Sequence, residues 1–154
     1  MPIVLPATEG TPVNLSKLRG RTVVYVYPRT GVPGVDTPDG WDQIPGARGC
    51  TPQSCSFHDH FGELTRLGVA QLYGLSTQNT AYQKEAATRL HLPFAILSDE
   101  KLTLTRALNL PTFSTELKRM ALVIDDNTIT KVIYPVFPPD KNAAEVIAWL
   151  QRSR

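Results

Sequence analysis

Two cysteines share one six-residue stretch, Cys50-Thr51-Pro52-Gln53-Ser54-Cys55, and the 154-residue chain has no others. Thiols this close suit either redox chemistry or metal binding. Zinc takes four protein ligands, or three and a water, so the pair would need His58, His60 or His91. His58 and His60 are two residues apart, which puts them on different sides of a helix, and they read as surface residues. A single cysteine pair in a reducing compartment is seldom a structural staple. Redox chemistry is the first reading.

The surroundings of Cys50 favour a reactive thiol. A glycine-containing loop precedes it and a helical pattern follows. Thr51 can cap, Pro52 suits the first helical position, and Phe57, Phe61 and Leu64 recur at spacings of four and three. Gly68 ends the pattern. Orphan N–H groups and the helix dipole favour negative charge at such a start. A thiol there ionises more readily, and the thiolate is the reactive form. Attack on a peroxide yields a sulfenic acid, which condenses with a nearby thiol. Cys55 is the only possible partner within the chain. Five residues of helix separate the two by about 7.5 Å of rise and roughly 140° of rotation. That exceeds the roughly 7 Å between Cα atoms that a disulfide spans without backbone movement. The turns from Cys50 to about Phe57 are therefore expected to unwind on oxidation.

The rest of the chain supplies elements to hold this segment. Thr22 to Tyr27 is β-branched and aromatic throughout and reads as a central strand buried on both faces. A short turn closed by Gly20 precedes it. Val69 to Leu75 reads as a second strand, and Ser76 to Asn79 starts a helix over about Thr80 to Leu90. Phe94 to Leu97 is a short extended piece, with Ser98 or Asp99 capping a helix to about Leu108. Lys118 to Ile124 and Thr128 to Tyr134 form a hairpin about Asp125-Asp126-Asn127. A final helix is predicted from about Lys141 to Gln151. Strands alternating with helices, then a hairpin and a terminal helix, predict an α/β domain with a central mixed β-sheet flanked by helices. The order fits the thioredoxin fold.

Composition narrows the partners. Sixteen basic and fourteen acidic residues are interleaved, for a net charge of +2, which marks no nucleic-acid or membrane surface. No stretch approaches the roughly 20 apolar residues that span a bilayer. The N-terminus MPIVLPATEG does not read as a secretory signal, so a cytoplasmic protein is expected. The length fits one domain over residues 1–154. The segment from Arg29 to Gly49, with four glycines and three prolines before its last glycine, is longer than most connections.

Thr22-Val23-Val24-Tyr25-Val26-Tyr27-Pro28 followed by Gly49-Cys50-Thr51-Pro52-Gln53-Ser54-Cys55-Ser56-Phe57 resembles the peroxiredoxin Q (bacterioferritin comigratory protein) branch of the peroxiredoxins. Gly74-Leu75-Ser76-Thr77, Leu92-Pro93-Phe94, Leu97-Ser98-Asp99, and Arg119 before Leu122-Val123-Ile124-Asp125 match in the same order. The resemblance implies a thioredoxin fold, a peroxidatic Cys50, a resolving Cys55 and a Cys50–Cys55 disulfide. It also implies hydrogen peroxide or alkyl hydroperoxides as substrate, thioredoxin or glutaredoxin as reductant, a monomer or weak homodimer, and no metal, haem or flavin. Arg119 maps onto the arginine that orients thiolate and peroxide; a guanidinium beside a thiolate favours its charged form. Gln53 maps onto a position where the family often has Glu, with the role of holding the arginine.

Two positions depart from the pattern. The family carries Thr or Ser three residues before the reactive cysteine and Pro seven before, where this chain has Ala47 and Gln43. Thr30 and Thr51 are candidates to supply the missing hydroxyl, Thr51 being the nearer in sequence. The loop from Arg29 to Gly49, with Trp41, Asp36, Asp39 and Asp42, is also an insertion relative to the family. General thiol–disulfide exchange and a redox-sensing module with slow turnover remain alternatives. Four residues between the cysteines disfavour the exchange enzyme, whose usual spacing is two.

Overall fold

The computed structural model describes residues 3–28, 50–113, 116–126, 128–134, 136 and 139–152. The expected insertion, with Thr30, Trp41, Gln43 and Ala47, lies outside these residues, as does Asn127 of the hairpin turn.

The chain opens with a small antiparallel pair, β1 (Val4–Leu5) and β2 (Val13–Asn14), followed by a 3-10 turn at Leu15–Lys17. Gly20, at φ +77°, closes the turn into β3 (Arg21–Val26). Two helices come next, α1 (Cys50–Asp59) and α2 (Phe61–Arg66), before β4 (Val69–Ser76). Then follow α3 (Thr80–Arg89), β5 (Ala95–Ser98) and α4 (Thr103–Leu108). A second small antiparallel pair, β6 (Thr112–Phe113) and β7 (Glu116–Leu117), leads to β8 (Met120–Asp125) and β9 (Thr128–Ile133). A 3-10 turn at Pro139–Lys141 runs into α5 (Asn142–Arg152).

The main sheet has the order β5–β4–β3–β8–β9, with β3, β4 and β5 parallel and β8 antiparallel to both of its neighbours. The predicted mixed sheet with flanking helices is present. Strand β3 is central because its side chains are apolar on both faces. Val23 and Tyr25, with Tyr27 just beyond the strand, pack on one side with Phe57, Leu64, Val146, Ile147 and Leu150. Val24 and Val26 pack on the other with Leu5, Val13, Leu104, Leu117 and Leu122. The first face is covered by α1, α2 and α5, and the second by the N-terminal pair and α4. Helix α5 docks through a stripe of Ala143, Val146, Ile147 and Leu150, the spacing that places one helical face on a core.

Three sequence expectations change in the structure. The helix expected to run unbroken to Gly68 is interrupted at His60. There the ring Nδ1 lies 2.8 Å from the Ser56 carbonyl oxygen, which the His60 backbone N–H also approaches at 3.2 Å. The ring and the backbone N–H share that acceptor, while the backbone at His60 leaves helical geometry at φ −107°, ψ 11°. Secondly, α1 begins at Cys50 rather than after a Thr51 cap. Pro52 is still in the first turn, where no intrahelical N–H is needed. Thirdly, the strand expected from Lys118 starts at Met120, where β8 first pairs with Val26 of β3. Lys118 instead donates its backbone N–H to the Pro111 carbonyl, so the chain is still leaving the β6–β7 pair at that point.

Candidate active site

Strand β3 ends at Val26, and at its carboxyl edge three distant parts of the chain meet. Helix α1 begins with Cys50, placing that residue where orphan N–H groups and the dipole of a ten-residue helix favour an anion. Thr51 is the second residue of the same helix. Arg119 sits in the link just before β8, and the pairing of Met120 with Val26 brings that link beside the end of β3. The Arg119 side chain is 4% exposed.

Gln53 joins these parts. It is fully buried in the first turn of α1. Its Oε1 accepts a hydrogen bond from Arg119 Nη1 at 2.7 Å. Its Nε2 donates to Asn142 Oδ1 at 2.8 Å and, more distantly, to the Val26 carbonyl at 3.4 Å. Arginine can only donate and a backbone carbonyl can only accept, so these neighbours define which end of the amide is which. A hydrogen bond to a charged group, here worth about 1.5–3 kcal/mol, restrains both partners. Because the amide is neutral, it orients the guanidinium without cancelling its charge.

Helix α1 is held elsewhere along its length. The Tyr25 hydroxyl donates to Ser54 Oγ at 3.0 Å, and Ser56 Oγ accepts from the Ala143 backbone N–H at 3.2 Å. Tyr25 reaches across its neighbour on β4, Gly74, where a Cβ would stand 2.8 Å from the tyrosine oxygen. Only glycine leaves that path open.

Cys55 is half-buried on α1 with its thiol free. Burial pushes the thiol above its ordinary range, Asp59 raises it further, and Arg89 pulls it partly back. Arg89 is itself paired with Glu85 at 2.8 Å, one turn earlier on α3. With Cys50 and Cys55 in one continuous helix, ideal geometry separates their Cα atoms by about 8.5 Å. His58 is exposed, with its Nδ1 3.0 Å from Asp59 Oδ1. Among the described residues no cluster of three or more His, Cys, Asp or Glu is placed to hold a metal ion, and no helix is long and apolar enough to cross a membrane.

The structure thus brings Arg119 and Gln53 together at the helix that starts with Cys50, and sets Cys55 apart on the same helix. Sequence reasoning missed Asn142, Ser54 and Ser56. Asn142 reads as an ordinary helix-start asparagine after Pro138-Pro139, and nothing in its surroundings points to a partner 89 residues away.

A family model described as Redoxin matches residues 1–147. A chloroplastic peroxiredoxin Q from Sedum lineare is 33% identical over 154 residues, covering 97% of this chain and 74% of the relative. The chain belongs to the peroxiredoxins. Peroxiredoxins are thiol-dependent peroxidases, and this member falls in their Q (bacterioferritin comigratory protein) branch. It spans three-fifths to three-quarters of the length of the plant peroxiredoxin Q proteins it matches. Among solved structures, the peroxidoxin BcpB of Mycobacterium tuberculosis superposes with a TM-score of 0.79 at 26% identity, covering 100% of this chain and 94% of that one. A Xanthomonas campestris bacterioferritin comigratory protein, studied for alkyl peroxide reduction, shares the fold with a TM-score of 0.78 at 18% identity, covering 98% and 91%. The mixed sheet and its helices are therefore the thioredoxin fold in its peroxiredoxin form.

Proposed function

We propose that this peroxiredoxin reduces hydrogen peroxide and small alkyl hydroperoxides, with Cys50 as the peroxidatic thiol, Arg119 as its electrostatic partner and Cys55 as the resolving thiol. The observation that carries the reading is the buried Arg119, tied at 2.7 Å to Gln53 in the first turn of the helix that Cys50 opens. The Cys50 thiolate attacks the terminal peroxide oxygen. An S–O bond forms, the O–O bond breaks, and the departing alkoxide or hydroxide takes a proton and leaves as alcohol or water. Arg119 stabilises the thiolate and the charge that develops on the leaving oxygen. The Cys55 sulfur then attacks the Cys50 sulfenic acid, expelling water and forming a disulfide. A small dithiol protein, thioredoxin or glutaredoxin, returns both sulfurs to thiols by exchange and is itself oxidised. Thr51, in the second position of α1, is the candidate for the hydroxyl that Ala47 does not supply. We read residues 1–154 as one domain with the 29–49 insertion, acting in the cytoplasm as a monomer or weak homodimer.

A redox sensor with slow turnover is the second reading. It is favoured by the raised Cys55 thiol and by the tethering of α1 through Gln53, Ser54 and Ser56, all of which oppose disulfide formation. Peroxide consumption coupled to a thioredoxin system separates the two. The peroxidase turns over many times, loses turnover in Cys50→Ser and becomes sluggish or donor-dependent in Cys55→Ser. A sensor consumes about one equivalent and stops. Normal peroxide consumption by Cys50→Ser would overturn both.

A further inference from the structure

We infer that Asn142, at the start of α5, is a positioning residue for the peroxidatic site, acting through the Gln53 amide on Arg119. The inference rests on the site assignment above and extends it to a residue from another part of the chain.

Gln53 is an amide with two chemically different ends. Its Oε1 serves Arg119 only while its Nε2 faces the other way. Two acceptors hold it there, Asn142 Oδ1 at 2.8 Å and the Val26 carbonyl at 3.4 Å. The nearer and better placed is Asn142. Turning the Gln53 amide over would set Oε1 against these two oxygens and Nε2 against the guanidinium, three like-with-like contacts in a site closed to water. Together with the Val26 carbonyl, Asn142 thus holds the face that Gln53 offers to Arg119.

Asn142 is fully buried, and among the described residues its Nδ2 has no hydrogen-bond partner. A buried donor left without an acceptor costs about 1–3 kcal/mol. Such a group in a native core calls for an explanation beyond packing. Presenting Oδ1 to Gln53 provides one. The link also couples α5 to the first turn of α1, beside the bond from Ala143 N–H to Ser56 Oγ.

A carboxylate at position 53 would not need this help. Its two oxygens are equivalent, so either one accepts from Arg119 whatever Asn142 does. This gives a test that a purely structural role does not pass. Peroxide kcat/KM with a thioredoxin system, and the pH dependence of Cys50 alkylation in a Cys55→Ser background, are measured for Asn142→Ala, Gln53→Glu and the double variant. In the Gln53 background, Asn142→Ala is expected to lower kcat/KM by about ten- to a hundredfold, the scale of a small misplacement at a reacting centre. It should also move the alkylation profile toward higher pH. In the Gln53→Glu background the same substitution should change kcat/KM by less than about threefold, because no amide remains to be turned. Asn142→Asp keeps an oxygen toward Gln53 Nε2 and suits a helix N-terminus. It should stay nearer to wild type than Asn142→Ala, and it supplies the comparison if the alanine variant folds poorly. Equal losses in both backgrounds, an unmoved alkylation profile in Asn142→Ala, or equal losses for Asp and Ala would overturn the inference. Cys50→Ser and Arg119→Lys are run alongside. If both of these remain active the site assignment itself fails, whereas if both are impaired and Asn142 behaves alike in the two backgrounds, the positioning role alone fails.

Discussion

Phe57 lies face to face with Tyr25, ring centroids 4.6 Å apart and planes 8° from parallel. The stack fastens the helix bearing both cysteines to the central strand, and the Tyr25 hydroxyl adds its bond to Ser54 one turn earlier. The proposed disulfide between Cys50 and Cys55 would have to form against this clamp.

Loosening the clamp should therefore speed the disulfide. Ser54→Ala removes one buried hydrogen bond, worth about 1 kcal/mol. If that loss falls wholly on the unwound form's equilibrium, disulfide formation after one equivalent of peroxide should quicken by about fivefold. Rapid-mixing tryptophan fluorescence or acid-quenched mass analysis reads the rate. Wild-type protein should also exchange the amides of residues 50–57 faster once oxidised. Identical exchange in the two redox forms would remove the unwinding step.

Arg119 should be irreplaceable by lysine. An ammonium keeps the charge but lacks the planar fork that can meet Gln53 and a peroxide together. A loss of about 10²–10³ in kcat/KM is expected for Arg119→Lys, the range seen when an oriented charge-stabilising donor is removed. Steady-state peroxide kinetics at saturating reductant checks this.

The raised Cys55 thiol makes the proposed resolution step pH-dependent. Burial and Asp59 keep it protonated at neutral pH, so the step should accelerate as pH rises. Removing the Asp59 charge relieves one cause, and Asp59→Asn should speed resolution at pH 7 by less than about tenfold. Replacing Arg89 with Gln removes the opposing influence and should slow it. Disulfide formation measured from pH 6 to about pH 9, a span that brackets the usual thiol range, tests both signs.

Two carboxylates should move stability in opposite directions. Arg21, hydrogen-bonded to Asp125 at 2.8 Å, holds that carboxyl below its ordinary range, against burial and with help from Thr130. Its contribution is present above the ordinary aspartate value and fades as pH falls through the lowered one. Glu145 is the reverse. One of its oxygens is sealed without a partner among the described residues while the rest of the side chain reaches solvent, and burial raises its carboxyl. Its charged form disfavours the fold once pH rises above the ordinary glutamate value. Asp125→Asn should thus lower Tm at pH 7, and Glu145→Gln should raise it. Each effect should stay below about 1 kcal/mol for such partly exposed groups and vanish in strong acid. Calorimetry at pH 3 and pH 7 is the check.

Much of this architecture was written in short-range patterns. An apolar run on both faces made β3 central, Asn79 capped α3 through the Tyr82 N–H, and Asp99 took the backbone N–H groups of Leu104 and Thr105 at the start of α4. These are contacts between residues a few positions apart, so the order of residues alone specifies them. The pairs β1–β2 and β6–β7 escaped because two-residue strands have no period to read. The break at His60 escaped because a single residue leaving helical geometry leaves no trace in hydrophobic spacing.

The order of residues also set out the chemistry of the pair: two thiols five positions apart, the first opening a helix. Arg119 and Gln53 entered only through the family resemblance, because no local spacing ties a guanidinium to so distant a segment, and nothing in the order of residues pointed to Asn142. Arg119 is 66 positions from Gln53, and Asn142 is 89. Only folding of β8 against β3, and of α5 against α1, makes one amide answer to both. Local pattern singled out the sulfur proposed as reactive, because helix-end electrostatics act within a turn. Tertiary packing chose its partners, because a hydrogen bond between distant side chains exists only once the sheet has brought them within 3 Å.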